Sequence, residues 1–290
     1  MSLPKRILEE VFRRFVEEDI GHGDITTLHT IPPGTVVEAE IVAKGKGVIA
    51  GIQEALVFLE SFGLQAKALG EDGSKVGEKT KLVKIEGDGA TLLSIERTLL
   101  NLLSRMSGIA TSTNRLVEKI HRAGYETRVA CTRKTAPGLS YFDKKAVVIG
   151  GGDAHRWGLD DMVLIKDNHI AIAGSVKKAI ERVRGSASFS KKIEVEVTKV
   201  DEAMEAARTG VDIIMLDNFT PKQIKQAISL LQKKGFRDKV LVEASGGITE
   251  QNILEYAASG VDIVSLGEIT HSAKALDMNL EITSVRKRQS

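Results

Sequence analysis

The sequence predicts an α/β protein in two parts, a mixed α/β sandwich domain followed by an α/β barrel. In the first part, short strand patterns stand between glycine-rich turns, with one helix among them. From about residue 127 onward, short apolar segments alternate with amphipathic ones, which is typical of a parallel array of strands and helices. An internal repeat supports the second part, because residues 209–217 (TGVDIIMLD) recur in similar form at 259–267 (SGVDIVSLG).

The first part begins with an amphipathic helix, since apolar residues recur at helical spacing between Ile7 and Val16. Strands are predicted over 36–44, 47–51, 64–69 and 81–86, and helices over 53–62, 92–106 and 112–123.

The strands of the second part are predicted over 127–131, 162–165, 193–197, 213–216, 240–243 and 263–266. In such barrels the C-terminal ends of the strands form the active site. The residues at these ends are Thr132, Arg133, Lys134, Lys166, Glu196, Asp217, Ser245, Gly246, Gly247 and Gly267. Charged side chains are too frequent among them for a plain scaffold, so we predict that a binding site lies there.

The composition excludes several classes of protein. Lys and Arg number 41 against 39 Asp and Glu, and 4% of the residues are aromatic, so the sequence lacks the basic excess and stacking platforms of a nucleic-acid binder. The one cysteine, Cys131, rules out an intramolecular disulfide and fits a reducing compartment. The charged first residues lack the apolar core of a signal peptide, and no run is apolar enough for a membrane span. We therefore expect a cytoplasmic protein without nucleic-acid or membrane partners.

Two segments carry candidate anion-binding cations. In 131–138 (CTRKTAPG), Arg133 and Lys134 follow a buried strand, and such side chains pair with carboxylate or phosphate. In 150–158 (GGGDAHRWG), His155 and Arg156 follow three glycines. A solvated turn in the first segment and a flexible loop in the second would explain the same patterns.

Carboxylates follow two other strands. Glu194 and Glu196 are two residues apart in a strand, so we expect both to face inward. With Asp217 they are suited to holding Mg²⁺, binding ribose hydroxyls or stabilising a cationic transition state. Turn chemistry would explain Asp217 next to Asn218 equally well.

Three further features have simpler alternatives. The segment 243–249 (EASGGIT) is predicted to start a helix that runs to about residue 259, which makes a phosphate cradle or an ordinary capped loop. His169 has no second ligand at metal-binding spacing, so we expect it to pack or to support a neighbour. Arg97 and Arg105 lie on one helix face and, from the residues alone, are compatible with solvated charges.

In combination, these segments resemble the quinolinate phosphoribosyltransferase family. The resemblance covers nearly the whole chain, in order. It is carried by 18–27 (EDIGHGDITT), 97–111 (RTLLNLLSRMSGIAT), 132–138 (TRKTAPG), 150–156 (GGGDAHR), 166–169 (KDNH) and 243–248 (EASGGI). Ala136 and Ala154 depart from the Thr and Asn that are usual in the family, and neither change removes a charge.

The resemblance implies an incomplete six-stranded α/β barrel over residues 111–274. It implies an N-terminal mixed α/β domain over 1–110, joined by the C-terminal segment 275–290. It also implies a homodimer with shared active sites, sometimes assembled into a hexamer, in which Arg97 enters the partner's site.

The resemblance further implies a role for each matching residue. Quinolinate would be bound by Arg97, Thr132, Arg133, His155, Arg156 and Lys166. Phosphoribosyl pyrophosphate (PRPP) would be bound by Lys134, Glu196, Asp217, Ser245, Gly246, Gly247, Gly267 and His271. Lys134, Glu196 and Asp217 would be catalytic, and the two acids would also meet the Mg²⁺ that accompanies PRPP. No tightly bound organic cofactor is expected.

The activity implied is the conversion of quinolinate and PRPP to nicotinate mononucleotide, pyrophosphate and CO2 in NAD biosynthesis. The number of candidate cations favours a diacid over nicotinate, which has one carboxylate. The alternatives are a phosphoribosyltransferase that acts on nicotinate, a relative that serves molybdenum metabolism, and a metabolite-binding barrel without catalytic activity.

Overall fold

The computed structural model describes residues 3–287, which fall into two compact units. The first unit holds the chain up to Ser112, Val148–Gly150 and the described residues from Ala273 onward. The second holds Thr113–Val147 and Gly151–Ser272. Residues 1–2 and 288–290 of the expected N-terminal domain lie outside the described part of the chain. Within that part, no helix combines the length and apolarity that crossing a membrane requires.

The elements run in the following order along the chain. The helices are α1 (Lys5–Ile20), α2 (Ile25–Thr30), α3 (Ile52–Ser61), α4 (Gly89–Arg122), α5 (Ser140–Ile149), α6 (Asp167–Ala173), α7 (Val176–Ser186), α8 (Val200–Thr209), α9 (Pro221–Lys233), α10 (Ile253–Ala257) and α11 (Glu268–His271). The strands are β1 (Thr35–Ala43), β2 (Gly47–Val48), β3 (Gln65–Ala68), β4 (Lys75–Val76), β5 (Lys81–Asp88), β6 (Arg128–Cys131), β7 (Val163–Ile165), β8 (Ile193–Val197), β9 (Ile213–Asp217), β10 (Leu241–Ser245), β11 (Ile263–Leu266) and β12 (Met278–Lys287).

The first unit is built on a four-stranded sheet in the order β12-β1-β5-β3. The C-terminal strand β12 pairs antiparallel with β1, and β5 pairs with the other side of β1. Alternate residues of β1, including Ala39 and Ile41, are fully buried, as expected for a strand with one face on the core. Phe12 of α1 and Phe58 of α3 add to this core, with ring centroids 5.1 Å apart.

The prediction of two helices over 92–106 and 112–123 is wrong, because α4 is one continuous helix of 34 residues. Gly108 lies between the two predicted helices and is a conformational weak point in a helix. In the structure a β-carbon at Gly108 would overlap the carbonyl oxygen of Lys274. The glycine therefore serves close packing against the C-terminal segment rather than termination of the helix.

The second unit contains a six-stranded sheet in the order β6-β11-β10-β9-β8-β7. All neighbours are parallel, and helices connect successive strands. Among the described residues β6 and β7 do not pair with each other, so the barrel is open between them. The expected incomplete six-stranded barrel is confirmed. Ala130 of β6 forms an isolated bridge with Asp153, which lies in the segment before β7.

The internal repeat has a structural role at the N-terminal ends of the strands. The carboxylate of Asp212 accepts a hydrogen bond from the backbone N–H of Ile193 at 2.7 Å. The carboxylate of Asp262 accepts one from Val242 at 2.7 Å. Each repeated aspartate thus pairs with the first residues of a neighbouring strand, which fixes the register of the sheet.

Candidate active site

A pocket of about 1020 Å³ lies in the second unit, at the C-terminal ends of the strands. Its lining includes sequence-predicted residues that follow each strand of the six-stranded sheet. These are Thr132, Arg133, Lys134, His155, Arg156, Lys166, Glu196, Asp217, Ser245, Gly246, Gly247, Gly267 and His271. Arg97 is not among the lining residues; it belongs to the first unit, where its side chain is exposed.

His155 contacts two buried carboxylates of the barrel interior. Its Nε2 lies 3.2 Å from Oε2 of Glu194 on β8 and 3.2 Å from Oε2 of Glu243 on β10. Both glutamate side chains are 0% exposed. These are ion-pair distances, and no other described group donates a hydrogen bond to the four carboxylate oxygens.

These contacts decide the ionisation of His155. Burial by itself lowers the pKa of the imidazole, but the interactions with Glu194 and Glu243 outweigh it and raise the pKa to about 10. Burial raises the pKa of the Glu194 carboxyl, against the lowering by His155. The two directions are compatible because two carboxylates share one imidazole, and one ionised carboxylate suffices to hold its proton. His155 is therefore an imidazolium at neutral pH.

The backbone of His155 is held in an unusual conformation. Its φ of 53° lies in the left-handed region, which is costly for a residue with a β-carbon. The backbone N–H of His155 donates to Oδ1 of Asp153 at 2.7 Å, and this contact stabilises the turn. Strain of this kind persists only where the surroundings fix it, and it is common at functional sites.

A buried lysine, which the sequence analysis did not single out, connects two segments of the site. Lys144 on α5 is 0% exposed, and its Nζ donates to the carbonyl of Ala154 at 2.7 Å and to that of Thr132 at 3.3 Å. The segment after β6 and the segment before His155 are thereby joined. A lysine on an amphipathic helix is ordinarily exposed, so the sequence pattern held no signal for this role.

Lys166 is paired with a carboxylate of the neighbouring strand. Its Nζ lies 2.7 Å from Oε2 of Glu196. The backbone N–H of Lys166 donates to Nδ1 of His169 at 2.9 Å, so His169 caps the start of α6 and fixes the backbone that carries Lys166. This contact is of the supporting kind that we expected for His169.

Asp217 is oriented by the residue that follows it. The amide of Asn218 donates to Oδ2 of Asp217 at 2.6 Å, and Asn218 itself has a φ of 56°. Burial raises the pKa of the Asp217 carboxyl, and the charge of Glu196 raises it further. Two carboxylates thus lie near each other at the ends of β8 and β9, a region that a cation would stabilise.

The glycine loop after β10 differs from the expectation. The predicted helix from this loop to about residue 259 is wrong, because α10 covers only Ile253–Ala257. Gly246 and Gly247 have φ values of 88° and 64°, which only glycine adopts readily, and turns follow them. Any binding of an anion here depends on backbone N–H groups of the loop and not on a helix dipole.

The three glycines of 150–158 also have a structural explanation. A β-carbon on Gly152 would lie 2.6 Å from Cγ2 of Thr113 and 3.0 Å from the carbonyl oxygen of Val129. Gly151 has a φ of 90°. The segment therefore packs tightly against β6, and this contact delivers His155 and Arg156 to the pocket.

The charges of the pocket largely balance. His155 is matched by Glu194 and Glu243, and Lys166 by Glu196. Burial and the charge of Arg133 lower the pKa of Arg156, while Glu194 opposes this. Among the residues that the structure describes, no carboxylate lies in ion-pair range of Arg133 or Lys134. The number of cations alone therefore does not distinguish a diacid from a monoacid, contrary to the sequence argument.

The fold and the pocket define a class: an open α/β barrel protein with a pocket lined by cations and carboxylates at the C-terminal ends of its strands. The family model described as quinolinate phosphoribosyl transferase, C-terminal domain, matches residues 109–281, and the model of the N-terminal domain matches residues 24–107. The chain belongs to the quinolinate phosphoribosyltransferase family, as the motifs indicated.

Individual relatives agree with the family. A probable nicotinate-nucleotide pyrophosphorylase (carboxylating) of Methanocaldococcus jannaschii is 49% identical over 277 residues, which are 94% of this chain and 96% of the relative. The corresponding protein of Methanothermobacter thermautotrophicus is 44% identical over 277 residues, 96% of this chain and 99% of the relative. The crystal structure of NadC from Streptococcus pyogenes has a TM-score of 0.89 at 35% identity and covers 99% of both chains.

Proposed function

We propose that this pocket transfers the phosphoribosyl group of PRPP to the ring nitrogen of quinolinate and releases CO2. The products are nicotinate mononucleotide, pyrophosphate and CO2, and the reaction supplies NAD biosynthesis. The protein is accordingly a decarboxylating phosphoribosyltransferase, a pentosyltransferase, as its family membership indicates.

The observation that carries the proposal is the distribution of the pocket residues over the sheet. Arg133, Lys166 and the segment with His155 and Arg156 belong to the open side of the barrel, around the edge strands β6 and β7. The acids and the glycine loop follow the inner strands. This division supports one region for an aromatic acid and another for a sugar phosphate.

In the acid region, Arg133, His155, Arg156 and Lys166 would bind the carboxylates of quinolinate, with Thr132 beside them. Guanidinium and imidazolium groups donate charge-assisted hydrogen bonds to carboxylates, and these fix the plane of the ring. Holding the ring nitrogen close to the ribose supplies much of the rate by orientation alone.

In the sugar-phosphate region, Lys134, His271 and the backbone N–H groups of Ser245, Gly246 and Gly247 would bind phosphate oxygens, with Gly267 leaving space. Gly267 is already close to Lys134, since a β-carbon there would lie 2.9 Å from its Cδ. Glu196 and Asp217 would face the ribose and stabilise the positive charge that develops on it.

The electrons balance without a nucleophile from the protein. The ring nitrogen attacks the anomeric carbon, and the bond from that carbon to pyrophosphate breaks with both electrons on the departing oxygen. The bond to the carboxylate next to the ring nitrogen then breaks, and CO2 leaves. The bonding pair stays on the ring carbon, stabilised by the pyridinium, and takes up a proton.

The carboxylates fit the magnesium ion that phosphoribosyltransferases generally use with PRPP. Glu196 and Asp217 are oxygen donors, and their mutual repulsion contributes to the raised pKa of Asp217 after burial. They would hold Mg²⁺, which supplies charge neutralisation of the pyrophosphate when it is bound. No tightly bound organic cofactor takes part in this proposal.

We also propose that the site is completed by a second copy of the chain. Arg133, Lys134 and Arg156 are the arginine and lysine side chains of the pocket without a carboxylate at ion-pair distance among the described residues. Lys134 is assigned to PRPP, and a dianion calls for a further cation. Arg97, exposed on α4, would supply it from the partner of a homodimer, and such dimers would be the units of any hexamer. The single buried cysteine supports a cytoplasmic location.

The experiment that tests the function is a turnover assay with purified protein, quinolinate, PRPP and Mg²⁺. We expect CO2 and nicotinate mononucleotide in equal amounts, and no product when nicotinate replaces quinolinate. Turnover of nicotinate without turnover of quinolinate would identify a different phosphoribosyltransferase. Binding of either acid without turnover would identify a non-catalytic barrel.

A further inference from the structure

Two carboxylates at the pocket, of which Glu243 is a lining residue, are fully buried without the partners that buried carboxylates normally have. Glu194 and Glu243 are 0% exposed, and their four side-chain oxygens accept no hydrogen bond within the described part of the chain. Burying a charge is costly unless it is paired and hydrogen-bonded. Their one charged contact at ion-pair distance, among the described residues, is Nε2 of His155, at 3.2 Å from each.

A purely structural role does not explain this arrangement. Asp212 and Asp262, which precede β9 and β11, accept backbone hydrogen bonds from Ile193 of β8 and Val242 of β10. Those two carboxylates hold the strands together, whereas the carboxylates of Glu194 and Glu243 accept no hydrogen bond from the backbone of any described strand. Two apolar side chains of similar volume would cost less free energy to bury in the barrel interior than two carboxylates.

His155 is fixed from its backbone as well as from its ring. Its N–H bonds to Asp153, and the carbonyl of the preceding Ala154 bonds to Lys144, which together hold the φ of 53°. With Nε2 directed at the two carboxylates, Nδ1 is the ring nitrogen that remains for a ligand. His155 lines the pocket, so this nitrogen is available to a substrate.

We propose that Glu194 and Glu243 are positioning residues for the acid substrate: they hold His155 as a cation and orient its Nδ1–H toward a carboxylate of quinolinate. The inference rests on the proposed function of the pocket. Both side chains are fully buried, and they act through His155 on the binding of the acid and not on the binding of PRPP.

The test compares steady-state constants of the full-length protein and its variants. In Glu194→Gln, Glu243→Gln and the double variant, the side-chain volume stays and the charge is lost. We expect the KM for quinolinate to rise by about tenfold or more while the KM for PRPP changes by less than about twofold. In a His155→Asn background the same changes should add nothing further, because the residue through which they act is gone.

Matched controls come from the two aspartates that precede β9 and β11 and bond to the backbone of β8 and β10. Asp212→Asn and Asp262→Asn also remove a carboxylate, and they should lower the free energy of unfolding while the ratio of the two KM values stays at the wild-type value. Unfolding by urea, followed for every variant, separates a loss of folded protein from a loss of binding.

Several outcomes would overturn the inference. These are equal effects on both KM values, effects that persist undiminished in the His155→Asn background, or tighter quinolinate binding after removal of one carboxylate. A metal ion that copurifies in stoichiometric amount and is lost in Glu243→Gln would assign the carboxylates to that metal instead. A wild-type protein that does not use quinolinate contradicts the proposed function itself, which distinguishes the two failures.

Discussion

The side-chain amine of Lys144 donates a 2.7 Å hydrogen bond to the carbonyl oxygen of Ala154, the residue that precedes His155. The same amine reaches the carbonyl of Thr132 at 3.3 Å. One buried cation on α5 thus holds together the two segments that carry Arg133 and His155. The geometry of the acid region depends on a residue that contacts no proposed substrate.

Lys144→Met should therefore weaken both folding and acid binding. The carbonyls of Ala154 and Thr132 would lose their partner, which costs about 1–3 kcal/mol in the free energy of unfolding. The KM for quinolinate should rise because the segments that carry Arg133 and His155 are no longer held together, while the KM for PRPP changes less. Lys177→Met on α7 is the control, because that side chain is 60% exposed and should change stability by less than about 0.5 kcal/mol. Equal free energies of unfolding for Lys144→Met and Lys177→Met would show that the hydrogen bonds of Lys144 are dispensable.

The pH dependence of quinolinate binding should lack the usual histidine inflection. The pKa of His155 is raised from 6.5 to about 10, so the imidazolium is kept as the pH passes 6.5 and is lost only as the pH rises through 10. We expect kcat/KM for quinolinate to show no step attributable to His155 between about pH 6 and pH 9. A step near pH 6.5 that disappears in His155→Asn would contradict the assignment.

Two substitutions of Asn218 separate its side-chain role from its backbone role. Asn218→Gly keeps the left-handed backbone without strain but removes the hydrogen bond to Asp217, and Asn218→Ala also adds strain of about 1 kcal/mol. Both should lower kcat by a similar factor, and only the alanine variant should lose stability. A fall in kcat confined to the alanine variant would show that the backbone alone matters.

Sharing of sites between subunits is testable by mixing inactive chains. Arg97→Ala and Lys134→Ala chains should each be inactive alone. A heterodimer would contain one intact site, made of the barrel of the first chain and Arg97 of the second. Equal mixing should restore about a quarter of the wild-type activity. Verified heterodimers that stay inactive would show that each chain has a self-contained site.

Much of the barrel was predictable because its strands are short apolar runs, each followed by a polar residue. That pattern placed Glu196 and Asp217 at the same end of the sheet. The pairing of charges was not predictable, because it depends on which strands become neighbours. Glu243 carried a usable signal, since it lies two residues before Ser245 and so faces the same side of β10.

The errors have physical causes of the same kind. The predicted break in α4 spans Gly108, whose packing partner, Lys274, is distant in the sequence. The helix after Gly247 was expected to start at once, but the left-handed glycines turn the chain before Ile253. In both cases local propensity was overridden by contacts that a sequence does not display.

The gap between the unpaired edge strands β6 and β7 has an evolutionary consequence. The proposed acid-binding residues belong to these edge strands and to the segment that bridges to Ala130, while most proposed PRPP-binding residues follow strands that are paired on both sides. An edge strand lacks one ladder of hydrogen bonds, so its end and the adjoining loop can change with less disturbance to the sheet. Under the proposed roles, the acid-binding half therefore lies where sequence change disturbs the sheet least, and the sugar-phosphate half where it disturbs the sheet most.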